Sequence, residues 1–165
     1  TTASTGTYPW LVPDAIGMAK GLGGGFPIGA VWAREPFADL YTPGSHGTTF
    51  GGTPLACAAG LAVLDVIQSA GILEHVVATA PRLHHHLATL HDELPQAVTA
   101  VRGLGFMAGI QLATEPYPVI ARLREAGLLC PAAGGNTIRL LPPLTVTVDE
   151  IDEAAGILRR VLSSG

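Results

Sequence analysis

GMAKGLGGGFPIGA, residues 17–30, holds the only lysine of a chain that otherwise carries eight arginines. Lys20 stands between a short apolar patch and the glycines Gly21, Gly23, Gly24 and Gly25. A P-loop needs its lysine after the glycines, and a dinucleotide fingerprint needs spaced glycines that open a helix; neither pattern is present. What remains is a lysine nucleophile or a loop lysine that snorkels to solvent. A desolvated amine loses part of its preference for the ammonium form and can attack a carbonyl, as Schiff-base lysines do. Glycines beside it let the backbone pass close to a flat cofactor.

The surrounding chain of 165 residues is long enough for one large or two small domains. It is 48% hydrophobic and only 13% charged, against about 25% charged in ordinary domains, so much of its surface is expected to be covered by protein. The longest apolar run, Leu55–Leu64, ends at Asp65 and falls short of the roughly 18 residues a membrane span needs. A net charge of −4 without a basic patch argues against nucleic acid. No charged segment followed by an apolar one opens the chain, so no secretory signal is expected. Cys57 and Cys130 fit buried thiols of a reducing compartment.

Outward from Lys20, residues 1–12 show no clean period and read as irregular. Residues 14–19 read as a brief strand or turn, and residues 28–33 (IGAVWA) as a strand in a well-covered sheet. Residues 36–54 form a loop. From Pro54 a helix apolar almost all round is expected, buried on most faces and ending near Gly71. A second helix follows with leucines at steps of three and four, kinked or restarted at Pro81. Strands are expected over 106–112 and 137–141, and a helix over 119–126. Thr147 with Glu150 forms a capping box that starts the last helix. The organisation is therefore a glycine-rich segment over 1–70 and a smaller unit over 71–165 in which helices and strands alternate, an α/β fold class.

Two further stretches carry chemistry. In SHGTTFGGTP, residues 45–54, Thr48, Thr49 and a glycine pair supply donors suited to a phosphate, or form a plain turn whose hydroxyls bond their own backbone. In NTIRLLPPL, residues 136–144, Arg139 lies in an apolar run and requires an anion, either a ligand carboxylate or one of the chain's own acids. The consecutive His84, His85 and His86 diverge by about 100° per residue on a helix. They read as a solvated face, with no metal site expected.

Taken in order, AKGLGGGFPIGA, HGTTFGGTPLACAAGLAVLD, VRGLGFMAGIQL and IRLLPPL resemble the class III pyridoxal-phosphate aminotransferases from about residue 11 onward. The 29-residue step from Lys20 to Thr49 agrees with that family. The resemblance implies the fold type I of pyridoxal-phosphate transferases, with residues 1–70 the tail of the large cofactor-binding domain and residues 71–165 the small C-terminal domain. It implies that Lys20 holds pyridoxal 5'-phosphate covalently and shuttles a proton. Thr49 would bind the cofactor phosphate from the neighbouring subunit, Thr48 would touch substrate, and Arg139 would pair with a substrate carboxylate. The partners implied are amino-acid and 2-oxo-acid substrates and a second copy in a homodimer, with the active site at the interface.

The branch it is most similar to moves the δ-amino group of N-acetylornithine to 2-oxoglutarate in arginine biosynthesis, which implies a cytoplasmic protein. Ornithine or another ω-amino acid is the alternative donor. Thr53 stands where the family has asparagine, and Gly17 where it often has threonine or serine. Family elements that precede the lysine, including the aspartate that pairs with the pyridine nitrogen, have no counterpart here. A non-catalytic remnant or docking fragment is therefore the reading of another class.

Overall fold

The computed structural model describes residues 12–164; the irregular reading of residues 1–12 lies, but for Val12, outside the described residues. The chain divides into two compact units, one ending at Ala70 and the other beginning at Gly71.

In the first unit, strand β1 (Ala15–Met18) pairs antiparallel with β2 (Ala30–Ala33) in register Ala15↔Ala33 to Met18↔Ala30. Between them lies a 3-10 turn, Lys20–Gly23. The helix expected from Pro54 is present as α1 (Pro54–Ser69), with Pro54 in its first turn, where a missing N–H costs nothing. Helix α1 packs on that turn at the buried Gly60, where a Cβ would be in ordinary contact with Leu22 O and Ile28 Cδ1, both at 3.7 Å.

Two burial expectations fail in this unit. Only Ala56 and Gly60 of α1 are buried, while Leu55, Leu61, Leu64 and Val66 are exposed. Likewise β2 is not well covered, for Val31 is 65% and Trp32 44% exposed. A two-stranded ribbon and one helix offer too few faces to enclose each other's apolar side chains.

The second unit is a four-stranded antiparallel sheet of order β3-β4-β6-β5 with helices on one face. Its elements are α2 (Ile72–Glu93), β3 (Val98–Leu104), β4 (Met107–Leu112), α3 (Pro116–Glu125), β5 (Ala132–Ala133), β6 (Thr137–Leu140) and α4 (Val148–Ser163). Leu83, Leu87 and Leu90 of α2 join Ile110, Ile138 and Leu158 in one buried cluster. Pro81 lies inside α2, which runs unbroken from Ile72 to Glu93. Burial of Thr79, Ala80 and Leu83 around it offsets the lost backbone hydrogen bond.

Strand β3 has no counterpart in the sequence reading. Arg102 and Gly103 interrupt its pattern, and pairing to β4 holds it in place. The capping box is present: Thr147 Oγ1 accepts from Glu150 N at 3.2 Å, and Glu150 Oε2 accepts from Thr147 N at 2.8 Å.

His85 is exposed, but His84 and His86 do not belong to a solvated face. His84 Nε2 donates to Gly105 O at 2.8 Å, and His86 Nε2 donates to Asp152 Oδ1 at 2.7 Å. Both are partly buried tethers from α2 to the β3–β4 turn and to α4. Cys57 is exposed rather than buried, and Cys130 is half-buried, which raises its thiol pKa.

Candidate active site around Lys20

Lys20 opens the 3-10 turn with φ 57°, the one non-glycine residue with positive φ among the described residues. Such a backbone costs about 1–3 kcal/mol for a residue with a Cβ and recurs where side chains must be presented for chemistry. The turn is closed by Leu22 N to Ala19 O and Gly24 N to Gly21 O, both 3.1 Å. Lys20 is exposed, and its Nζ makes no ion pair or hydrogen bond among the described residues. By contrast Arg34, which leaves the end of β2, is held by Asp14, with Nε 2.6 Å from Oδ1.

Immediately before Lys20, an open cleft of about 860 Å³ is lined by Gly17–Ala19, Trp32, Tyr41, His46 and Thr48, among others. Its floor is the β1–β2 ribbon, and its far wall is the loop between β2 and α1. Thr48 therefore shares a cleft with the residues that lead into Lys20, whereas Lys20 and Thr49 do not line it. Neither threonine hydroxyl makes a hydrogen bond among the described residues. Gly51 is required beneath Thr48, because a Cβ there would overlap Thr48 Cγ2.

Sequence reasoning missed Tyr41 and His46. Their rings meet edge to face with centroids 5.1 Å apart at the cleft. The signal available was their place in the same glycine-rich loop as Thr48.

The residues present suit the anchoring end of an aldehyde cofactor that carries a phosphate. Among the described residues, an amine without a partner stands at a strained, exposed turn, no heavy atom lies within 4 Å of a Cβ built at Gly17 or Gly21, and hydroxyls without partners lie on the facing loop. Arg139 belongs to the second unit. It is exposed on β6, between buried Ile138 and Leu140, rather than buried with them. It borders a separate cleft of about 720 Å³ with Leu141, Pro142 and Glu150. No carboxylate pairs with it among the described residues, so the internal salt bridge is not formed there.

The sequence profile of the family described as aminotransferase class-III matches residues 5–162. This chain belongs to the class-III aminotransferases. An acetylornithine aminotransferase of Listeria innocua is 46% identical over 153 residues, 93% of this chain and 40% of that protein. One from Mesorhizobium japonicum is 49% identical over 149 residues, covering 90% and 37%. Among solved structures, an acetylornithine aminotransferase from Elizabethkingia anophelis superposes with a TM-score of 0.86 at 32% identity, over 98% of this chain and 41% of that one. An ornithine aminotransferase from Plasmodium yoelii gives 0.88 at 29% identity, over 96% and 43%.

The α/β architecture is thus that of the fold type I pyridoxal-phosphate aminotransferases. The chain spans about two fifths of the length of the curated relatives it matches. Among the described residues, no single helix is long and apolar enough to cross a membrane. Nor do three or more His, Cys, Asp or Glu side chains gather there to hold a metal.

Proposed function

We propose that this chain carries the Lys20 half of a pyridoxal-phosphate aminotransferase site that uses N-acetylornithine and 2-oxoglutarate. The observation that carries the reading is the unpaired Lys20 amine at φ 57° beside an open cleft, within a chain of this family. When bound, pyridoxal phosphate supplies an electron sink for charge that develops on the amine-bearing carbon. Lys20 Nζ anchors it and, as a free amine, accepts and returns the proton of that carbon. Thr49 donates to the phosphate of the copy bound by a second subunit, and Thr48 contacts substrate from the facing loop. Arg139 pairs with a substrate carboxylate in a two-pronged contact. On this reading, residues 1–70 are the tail of the large domain and residues 71–165 the small domain, in a homodimer whose site lies at the interface.

Ornithine as the amino donor is a second reading of the same chemistry, supported by the solved ornithine aminotransferases that this chain resembles. A docking role is a reading of another class. It is supported by the exposed apolar faces of the first unit and the two-fifths span. The deciding experiment is borohydride reduction of the purified chain with pyridoxal phosphate, followed by peptide mapping. A single adduct on Lys20, lost in Lys20→Ala, is expected. Labelling without preference for Lys20 would overturn the catalytic reading and leave the docking one.

A further inference from the structure

The segment that carries Thr48 and Thr49 has little backbone bonding of its own. Residues 46–49 make no backbone–backbone hydrogen bond among the described residues. Such a stretch samples many conformations unless side chains fix it. Two side-chain contacts bracket it. After the threonines, the Thr48 methyl lies over Gly51, where a Cβ would overlap Thr48 Cγ2. Before them, the His46 ring meets Tyr41 edge to face, with centroids 5.1 Å apart and planes at 82°.

The Tyr41 side of that contact is anchored to the β1–β2 ribbon. Arg34 N donates to Asp14 O at 3.0 Å, Ala38 N to Arg34 O at 3.0 Å, and Tyr41 N to Ala38 O at 3.1 Å. These bonds run through the 3-10 turn Phe37–Leu40 to Tyr41. The chain then reverses over residues 42–45, closed by Ser45 N to Thr42 O at 3.0 Å. Pro43 and Gly44 are the central residues, and Gly44 has φ 86°, the left-handed value a type II turn requires there. The reversal delivers His46 back against Tyr41.

The contact is ring on ring. Neither the imidazole nitrogens of His46 nor the Tyr41 hydroxyl makes a hydrogen bond among the described residues. Edge-to-face rings attract through their quadrupoles, beyond the effect of buried area. Tyr41, His46 and Thr48 line one cleft, so the ring pair and the first threonine face the same space.

We propose that His46 is a positioning residue: seated on Tyr41, it holds Thr48 in the cleft and presents Thr49 to the phosphate of an aldehyde cofactor. The phosphate rests on the aminotransferase reading; the clamp itself rests on the ring contact and on a segment without backbone bonds. His46 acts through the two threonines. It settles their conformation before the anion arrives, so less freedom is lost on binding.

The full 165-residue chain tests both parts. Nitrogen-15 relaxation of the Thr48 and Thr49 amides reads their order on the ps–ns scale. His46→Ala is expected to lower that order while leaving β4 and β6 unchanged. His46→Phe, which keeps a ring for Tyr41, is expected to retain it. Tyr41→Ala should match His46→Ala, and the double variant should add nothing further, as for two residues that act through one contact. The second readout is the aldehyde concentration that half-saturates borohydride-trapped Lys20. His46→Ala should raise it about three- to tenfold for pyridoxal phosphate, the scale of one aromatic pair. It should stay within about twofold for pyridoxal, which has no phosphate to accept those hydrogen bonds.

Unchanged order at Thr48 and Thr49 in His46→Ala, or a loss that His46→Phe does not restore, would overturn the proposal. So would an equal rise for both aldehydes. Absence of selective Lys20 labelling in the wild-type chain, with the amide result as expected, would remove the aminotransferase reading and leave the clamp. Selective labelling with an unchanged pyridoxal phosphate requirement in His46→Ala would remove this inference alone.

Discussion

Arg82 on α2 closes a two-pronged ion pair on Asp152 of α4, with Nε to Oδ1 and Nη2 to Oδ2 both 2.8 Å. His86 donates to the same Oδ1 at 2.7 Å. These hydrogen bonds, Arg82 first, hold the Asp152 carboxyl well below the usual carboxylate range. A carboxyl whose folded pKa is depressed stabilises the fold above its unfolded pKa and loses that contribution as pH falls toward the folded value. The stability of the second unit should therefore begin to fall below about pH 3.9 and continue downward. Asp152→Asn should lower stability at pH 7 and flatten that acid limb. Urea melts from pH 7 to pH 2.5 check it; an unchanged acid limb in the variant would refute the assignment.

Ile110 and Gly103 probe the same hairpin through different physics. Ile110 is fully buried in the core, and Ile110→Ala should cost about 2–5 kcal/mol, from lost burial and the cavity left behind. Gly103 has φ 154°, and a Cβ there would overlap Met107 O and lie 2.8 Å from Ala108 Cα, both backbone atoms. Gly103→Ala should cost at least about 1–3 kcal/mol from backbone strain alone. Chemical denaturation followed by signals of the second unit measures both. A neutral Gly103→Ala would mean that the β3–β4 pairing is looser than described.

The capping box offers a smaller effect. Thr147→Ala should cost about 1 kcal/mol, the usual loss of a helix N-cap. It should also raise the Glu150 pKa part of the way, since the Thr147 backbone N–H, the larger cause of its lowering, remains while the hydroxyl is lost. An NMR pH titration of the Glu150 carboxyl reads the second outcome directly. An unmoved pKa would show that the cap is not formed in solution.

Hydrogen exchange should separate the two units. Amides of β4 and β6 lie over a continuous buried cluster, whereas α1 buries only Ala56 and Gly60 and β1 buries nothing. Exchange protection follows buried contacts and local opening. Residues 12–70 should exchange well before the central strands of the second unit. Equal protection in both units would require a cover over Leu55, Leu61 and Leu64, such as a second chain.

Local sequence determined much of this protein because some signals need no distant partner. The capping box at Thr147 and Glu150, the start of α1 at Pro54 and the leucine spacing of α2 act within a few residues through backbone hydrogen bonds and one-sided burial. Lys20 and Thr48 are singled out by the order of motifs that resembles the class-III family, not by composition. Tertiary structure decided the rest. Strand β3 exists because β4 pairs with it, and His84 and His86 became tethers because Gly105 and Asp152 lie opposite them. Arg102 and Arg139 come to one face of the sheet only through their register across Gly109. The two histidine tethers join residues 21 and 66 positions apart, and no local period encodes which distant turn or helix will face a given side chain.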